Sequence, residues 1–346
     1  MILAFCISIL LGPATIRLLR ELKYGKNIRK ITKKDGVDLY IMHKGKQGTP
    51  TMGGVLILIS IFVPVFLLAD LSNPLIGMLI FMTFGFGLIG FLDDYLGIIK
   101  RTSRGIAGKQ KMFYLLILGF ILGCFMMFTE LGIYYDPLKT SGNTHLCVPF
   151  IKTLYPDLGW FFIIFIMIVI SGSANAVNLT DGLDGLAIGI TTIAALALGM
   201  IAYMVGRFDF SRYLLVPYVP GAGELTVFLG ALVGSGMGFL WFNSHPAEMF
   251  MGDTGSLALG GILGTVAIMI KQEILLVIIG GVFVIEALSV ILQVASYKLT
   301  GKRIFLMSPI HHHFEKKGWA ESKIIARFWI VASLLALFGL STLKLR

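Results

Sequence analysis

Three short stretches of the 346-residue chain place carboxylates where long apolar runs end. Asp93 and Asp94 close the first, in Gly90-Phe91-Leu92-Asp93-Asp94-Tyr95. Asp181 and Asp184 stand one turn apart in the second, Asn178-Leu179-Thr180-Asp181-Gly182-Leu183-Asp184-Gly185. Asp253 lies in the third, which runs from Asn243 through Phe250 and Gly252 to Ser256. One aspartate alone at a helix end is more often a cap or a solvated charge than a ligand. Three clusters together ask for a common cause. Adjacent aspartates at a helix C-terminus are costly, because the dipole disfavours anions there unless a cation compensates. Convergent carboxylates suit a hard divalent cation such as Mg²⁺, which takes one or two protein carboxylates and completes its shell with water and substrate phosphate. No Cys or His spacing of the zinc type accompanies them. Asp253 precedes an expected helix N-terminus at 254–256, whose free N–H groups can meet a phosphate. The set is what metal-assisted phosphoryl transfer requires.

Positive and imidazole groups stand near these acids in sequence. Lys46 precedes Thr49-Pro50-Thr51-Met52-Gly53-Gly54, and Lys109 follows Arg104-Gly105-Ile106-Ala107-Gly108. Either lysine can neutralise a diphosphate; the plainer reading is a lysine touching lipid headgroups. His311-His312-His313 holds half of the six histidines, and a consecutive run is a poor metal cage. Hydrogen bonding or charge assistance toward phosphate suits it better.

The elements that must position these groups are membrane helices. Hydrophobic residues make up 56% of the chain and charged residues 14%, against about 25% charged in a soluble domain. Uncharged runs such as 55–69, 74–92, 112–129 and 186–206 have no polar face to turn to water. Ten spans are expected, at 1–20, 53–70, 74–92, 112–130, 158–178, 186–206, 224–242, 256–270, 274–297 and 324–342. Each must be helical, because unpaired backbone groups cannot face lipid. The chain thus reads as an all-α polytopic integral membrane protein with one transmembrane domain over 1–346. The first apolar run ends at Arg17 with no basic region before it, so it reads as a span rather than a signal peptide.

Of 29 Lys and Arg, 21 fall in the gaps on one side of this topology and seven on the other. The positive-inside rule puts the 21 in the cytoplasm and both termini outside. The loops 21–52, 93–111, 179–185, 243–255 and 298–323 are then cytoplasmic, as are all three acidic clusters. The net charge of +10 fits anionic lipid and negatively charged substrates and requires no nucleic acid. The external loop 131–157 is expected to pair 133–135 with 147–149 as a short β-hairpin. Tyr134, Tyr135, Tyr155, Trp160 and Tyr203 are placed as interfacial anchors. Cys6, Cys124 and Cys147 read as small hydrophobes.

The stretches 49–54, 91–95, 172–185, 243–256 and 309–313, taken in this order, resemble the bacterial polyprenyl-phosphate N-acetylhexosamine-1-phosphate transferases. The wording of 243–256 and the three histidines resemble the muramoyl-pentapeptide branch rather than its GlcNAc-1-phosphate sibling. The resemblance implies that UDP-MurNAc-pentapeptide donates phospho-MurNAc-pentapeptide to undecaprenyl phosphate, giving lipid I and UMP with Mg²⁺. It implies ten spanning helices, a homodimer, and nucleoside inhibitors at the donor site. Carried over by motif, Asp253 resembles the Mg²⁺ ligand, and Asp93 and Asp94 the pair at the lipid phosphate, with Asp93 the candidate base. Lys109 resembles a lysine beside them. Asn178, Asp181 and Asp184 resemble donor-site residues, Phe250 the ring that stacks on uracil, and Lys46 its neighbour. His312 and His313 resemble a polar wall near sugar and phosphate. Thr51, Asn243, Gly252, Ser256 and Gln293 complete the implied substrate contacts. Direct attack by the acceptor phosphate and a two-step route through an acyl-phosphate both remain open. An ion-coupled transporter, the other class considered, would carry its acids near mid-bilayer instead.

Overall fold

The computed structural model describes residues 1–22, 48–100, 105–135, 140–151 and 154–345. The apolar runs fold as helices throughout: α1 (Ile2–Glu21), α2 (Gly54–Leu68), α3 (Pro74–Ile99), α4 (Gly108–Phe128), α5 (Phe161–Thr180), α6 (Leu186–Val205), α7 (Phe208–Leu214), α8 (Leu225–Asn243), α9 (Gly252–Met269), α10 (Glu273–Ile279), α11 (Gly281–Thr300), α12 (Ile310–Lys316) and α13 (Glu321–Leu345). Among the described residues, nine helices of at least 18 residues are apolar enough to cross a membrane. The chain is a multi-pass membrane protein. Helix α2, with 15 residues, reaches about 22 Å at 1.5 Å per residue, short of a hydrocarbon core of roughly 30 Å.

Two expected spans differ in form. The third runs on to Ile99, so Asp93 and Asp94 lie inside the last two turns rather than at the end. The ninth is interrupted. Gly280, with φ −87° and ψ 19°, separates α10 from α11, since two consecutive glycines form the weakest point of an otherwise helix-favouring run.

Helix α9 is the axis of the bundle. Every residue from Thr254 to Met269 is buried, and α2, α3, α5 and α6 pack around it. A helix that is apolar on all sides belongs at such a centre. Helix α8 packs between α1, α2 and α6, and the more exposed α1, α4, α11 and α13 lie outside; α11 exposes Ile285, Leu288, Ile291 and Leu292. At Gly90 of α3 a Cβ would collide with the Asp253 carbonyl. That close approach lets α3 carry its two aspartates against the first turn of α9.

At the opposite end of α9 the structure corrects the hairpin expected between 133–135 and 147–149. Tyr134–Tyr135 (β1) pairs antiparallel with Thr140–Ser141 (β2), in the register Tyr134↔Ser141 and Tyr135↔Thr140. Tyr134 also bridges Tyr218, and His145 bridges Asp157. Tyr155, expected as an anchor, is buried and donates its hydroxyl to the Leu215 carbonyl at 3.4 Å. Trp160 and Tyr203 are exposed, as anchors should be.

Candidate active site

Four helix ends meet around Asp253. It stands in the first turn of α9, where a carboxylate is favoured by the helix dipole. Asp94, from α3, caps the same turn: its Oδ1 accepts the Asp253 amide at 3.1 Å and its Oδ2 the Thr254 amide at 2.9 Å and hydroxyl at 2.7 Å. The unfavourable field at the C-terminal end of α3 is thereby offset by the positive end of α9. Of the amides expected to receive a phosphate at 254–256, that of Thr254 is therefore occupied by Asp94. Gly252, at φ +74°, makes the turn into α9, and a Cβ there would lie 2.6 Å from Asp94 Oδ2 and 3.0 Å from Thr51 Oγ1.

Lys111, in the first turn of α4, donates its ammonium to Asp253 Oδ2 and stands 3.7 Å from Asp93 Oδ2. Asp93 Oδ1 accepts the Ile106 amide at 2.7 Å, which ties the segment before α4 to α3. Near the C-terminus of α5, Asn178 Nδ2 reaches both Asp253 Oδ1 at 2.9 Å and Ser256 Oγ at 2.8 Å. The result is a half-buried group of three carboxylates, one ammonium and one amide. Asp93, Asp94, Asn178, Asp253 and Ser256 are thus brought together from three separate stretches of sequence. Lys111 was not anticipated. Lys109, two residues earlier, is exposed; residues two apart point about 200° from each other on a helix.

Asp181 and Asp184 do not share a helical face. Gly185, at φ +75°, delays α6 to Leu186, so both lie in a turn. Asp184 is buried in a second cluster: its Oδ2 accepts the Ala247 amide at 3.1 Å and lies 3.1 Å from His245 Nδ1, and its amide donates to Glu321 Oε1 at 2.9 Å. Asp184, His245 and Glu321 offer ligand atoms within 4.8 Å of one another. Buried Asn243 braces the adjoining loop, accepting from the Gly185 amide at 3.0 Å and donating to the Met249 carbonyl at 2.8 Å. Phe250 is half-buried, its main chain paired with Pro50 at 2.8 Å and Gly53 at 2.9 Å. This pairing holds the 48–54 segment, with Thr51, beside the first turn of α9. Lys46 lies outside the described residues.

The loop between α11 and α12 is built on Gln293. Its Oε1 accepts the amides of Ile304 at 3.0 Å and Phe305 at 2.9 Å, and its Nε2 donates to the Phe305 carbonyl at 3.0 Å. His313 Nδ1 accepts the Leu306 amide at 3.1 Å; desolvation and the Lys317 charge hold this imidazole below its ordinary pKa. Arg303, Phe305, His313 and Lys317 line part of a cavity of about 340 Å³. His312 pairs with Glu315.

A family model described as glycosyl transferase family 4 matches residues 76–271, which span the whole carboxylate group, and places the fold and site in that class. A phospho-N-acetylmuramoyl-pentapeptide-transferase signature matches 46–58. Over all of this chain and 92% of the relative, the sequence is 53% identical to a phospho-N-acetylmuramoyl-pentapeptide-transferase of Pelobacter propionicus. It is 52% identical to that of Citrifermentans bemidjiense over the same shares, and 51% identical to that of Koribacter versatilis over 99% of this chain and 91% of the relative. The chain belongs to the phospho-N-acetylmuramoyl-pentapeptide-transferase family.

Proposed function

We propose that this protein transfers phospho-MurNAc-pentapeptide from UDP-MurNAc-pentapeptide to undecaprenyl phosphate, yielding lipid I and UMP, in a Mg²⁺-dependent reaction at the cytoplasmic face of a bacterial membrane. The observation that carries the reading is the convergence of Asp93, Asp94, Lys111 and Asp253 at one end of a membrane bundle in a chain of this family. A lipid acceptor needs an enzyme in the bilayer, and a nucleotide donor needs a site at its aqueous edge. The excess of Lys and Arg in the loops on the side of the acidic clusters supports the cytoplasmic orientation.

The donor set suits magnesium. Asp253 and its neighbours offer hard oxygen atoms, and the Lys111 ammonium already lies against two of the carboxylates, so the position favours positive charge. Asp253 would hold the ion, with its carboxylate fixed by Asn178, which Ser256 holds in turn. Bound there, Mg²⁺ would supply charge neutralisation and Lewis acidity at a donor phosphate.

The chain's own residues perform the remaining work. Lys111 lies where it can shield the charge that develops between two anionic reactants. Asp93, open on one side and held by the Ile106 amide, is the candidate acceptor of a proton from undecaprenyl phosphate. An acceptor phosphate oxygen then bonds to the β-phosphorus, and the bond from that phosphorus to the bridging oxygen breaks, so that oxygen leaves on UMP. A phosphate monoester is already nucleophilic near neutral pH, which favours this direct route over an aspartyl-phosphate. Phe250, Asp181 and Lys46 take the donor side, with His312 and His313 toward its sugar and diphosphate, while Asn243 and Gln293 hold the loops that carry these groups.

Donor competition tests the substrate. Purified protein supplied with undecaprenyl phosphate and equal UDP-MurNAc-pentapeptide and UDP-GlcNAc should give the muramoyl lipid in large excess. Equal or preferred use of UDP-GlcNAc would move the chain to the sibling activity.

A further inference from the structure

Glu321 opens α13, and an acid in the first turn of a helix is ordinarily a solvated charge favoured by the dipole. Here the side chain is only 14% exposed and is turned onto another segment. Its Oε1 accepts the Asp184 amide at 2.9 Å, across 137 positions of sequence, and its Oε2 lies 3.6 Å from His245 Nδ1. The same nitrogen stands 3.1 Å from Asp184 Oδ2. A carboxylate oxygen accepts, so the proton of that bond belongs to Nδ1. The imidazole thus meets two carboxylates that would repel each other without it. Asp184 Oδ2 also accepts the Ala247 amide at 3.1 Å, and the neighbouring Gly185 amide donates to Asn243 Oδ1 at 3.0 Å.

These contacts tie the 181–185 turn to the 243–249 loop, and both to the last helix. The turn presents Asp181 and the loop leads into Phe250, two residues of the donor side. Asp253 is held separately, by the Asp94 cap and by Asn178.

We propose that Glu321 and His245 are positioning residues that clamp the donor wall through Asp184, so that the last helix sets donor affinity and leaves the chemical step to the carboxylate group. This rests on the proposed transferase reading. A wall formed in the free protein and kept through the reaction serves ground and transition states alike. Its loss raises KM and spares kcat.

Variants of the full chain in detergent would be assayed for steady-state UMP release with undecaprenyl phosphate saturating, and for binding of UMP alone by calorimetry. The donor KM should rise about tenfold in Glu321→Ala and about threefold in His245→Ala, the scale of one buried and one part-exposed hydrogen bond. In both, kcat and the acceptor KM should stay within about twofold. UMP affinity should fall by the same factors, because UMP keeps the uridine end of the donor. Glu321→Gln keeps an acceptor for the Asp184 amide, and His245→Asn keeps a donor near the place of Nδ1; each should recover most of the loss. Ser322→Ala, at the exposed next residue, should match the unmutated protein. His245 is 41% exposed, so its variants keep the test open should Glu321→Ala fail to fold. An unchanged donor KM in the alanine variants, a fall in kcat alone, an equal defect in Ser322→Ala, or no recovery in either conservative variant would each overturn the clamp. An unmutated protein that neither turns over nor binds UMP would instead overturn the transferase reading and take the clamp with it.

Discussion

Asp94 caps the helix that carries Asp253 by way of Thr254: a single carboxylate oxygen accepts both the Thr254 amide, at 2.9 Å, and its hydroxyl, at 2.7 Å. Two helices whose ends meet in opposite sense are joined there, and Asp253 is placed by the same contact. Asp94→Ala should therefore lower thermal stability in detergent by about 0.5–2 kcal/mol, the range for a lost cap. Asp94→Asn, which keeps an acceptor oxygen, should recover part of it. Equal melting temperatures for wild type and Asp94→Ala would show that the cap contributes nothing.

Lys111, rather than Lys109, reaches the carboxylates. Lys111→Ala should reduce turnover by about 10²–10³, the scale for removing one preorganised electrostatic group, and far more than Lys109→Ala does. Steady-state UMP release from the two variants decides between them; a larger loss in Lys109→Ala would reverse the assignment.

The far end of α9 carries a different device. Lys271 and Glu273 are fully buried and 3.1 Å apart, with the ammonium donating to the Asn143 carbonyl at 3.0 Å and sitting 4.1 Å from the Phe162 ring centroid. Burial pushes the lysine pKa down and the glutamate pKa up. Lys271→Met would strand a buried carboxylate and should cost about 3–5 kcal/mol. Adding Glu273→Met should restore most of the loss. A double variant as unstable as the single, by thermal unfolding, would contradict this.

Asp157 gives the loop before α5 a pH dependence. The Thr144 hydroxyl and the Gly159 amide at 3.0 Å hydrogen-bond its carboxylate and hold its pKa below the ordinary value. A depressed carboxylate stabilises the folded state above its unfolded pKa, and that contribution is lost as pH falls through the folded pKa. Amide exchange at Gly159 should therefore accelerate as pH falls below about 4, after correction for intrinsic rates, and Thr144→Val, which removes the larger cause of the depression, should move the change to higher pH. Protection independent of pH in the unmutated protein would refute the link.

The membrane bundle was legible because its segments lack charge, and no backbone but a helix can hide its polar groups in lipid. The break at Gly280 was not, since a glycine pair inside an apolar run carries no charge signal. Asp93, Asp94 and Asp253 stood out as acids at the ends of such runs. Their partners were less visible. Asn178 and Asp253 are 75 residues apart, Asp184 and Glu321 137 apart, and nothing local in sequence distinguishes Lys111 from Lys109. Nor was it visible that, of the amides at 254–256 offered to a phosphate, the Thr254 amide already meets a carboxylate from α3.

The central claim is tested most directly by UMP release from UDP-MurNAc-pentapeptide by the purified protein, with and without undecaprenyl phosphate, in Mg²⁺ or EDTA, beside Asp253→Ala. Release should require both acceptor and Mg²⁺ and should be lost in the variant. Stoichiometric release without acceptor would contradict direct attack and point to an enzyme-bound phosphate. No release from folded, lipid-supplied protein, with UDP-GlcNAc also inert, would contradict the transferase itself.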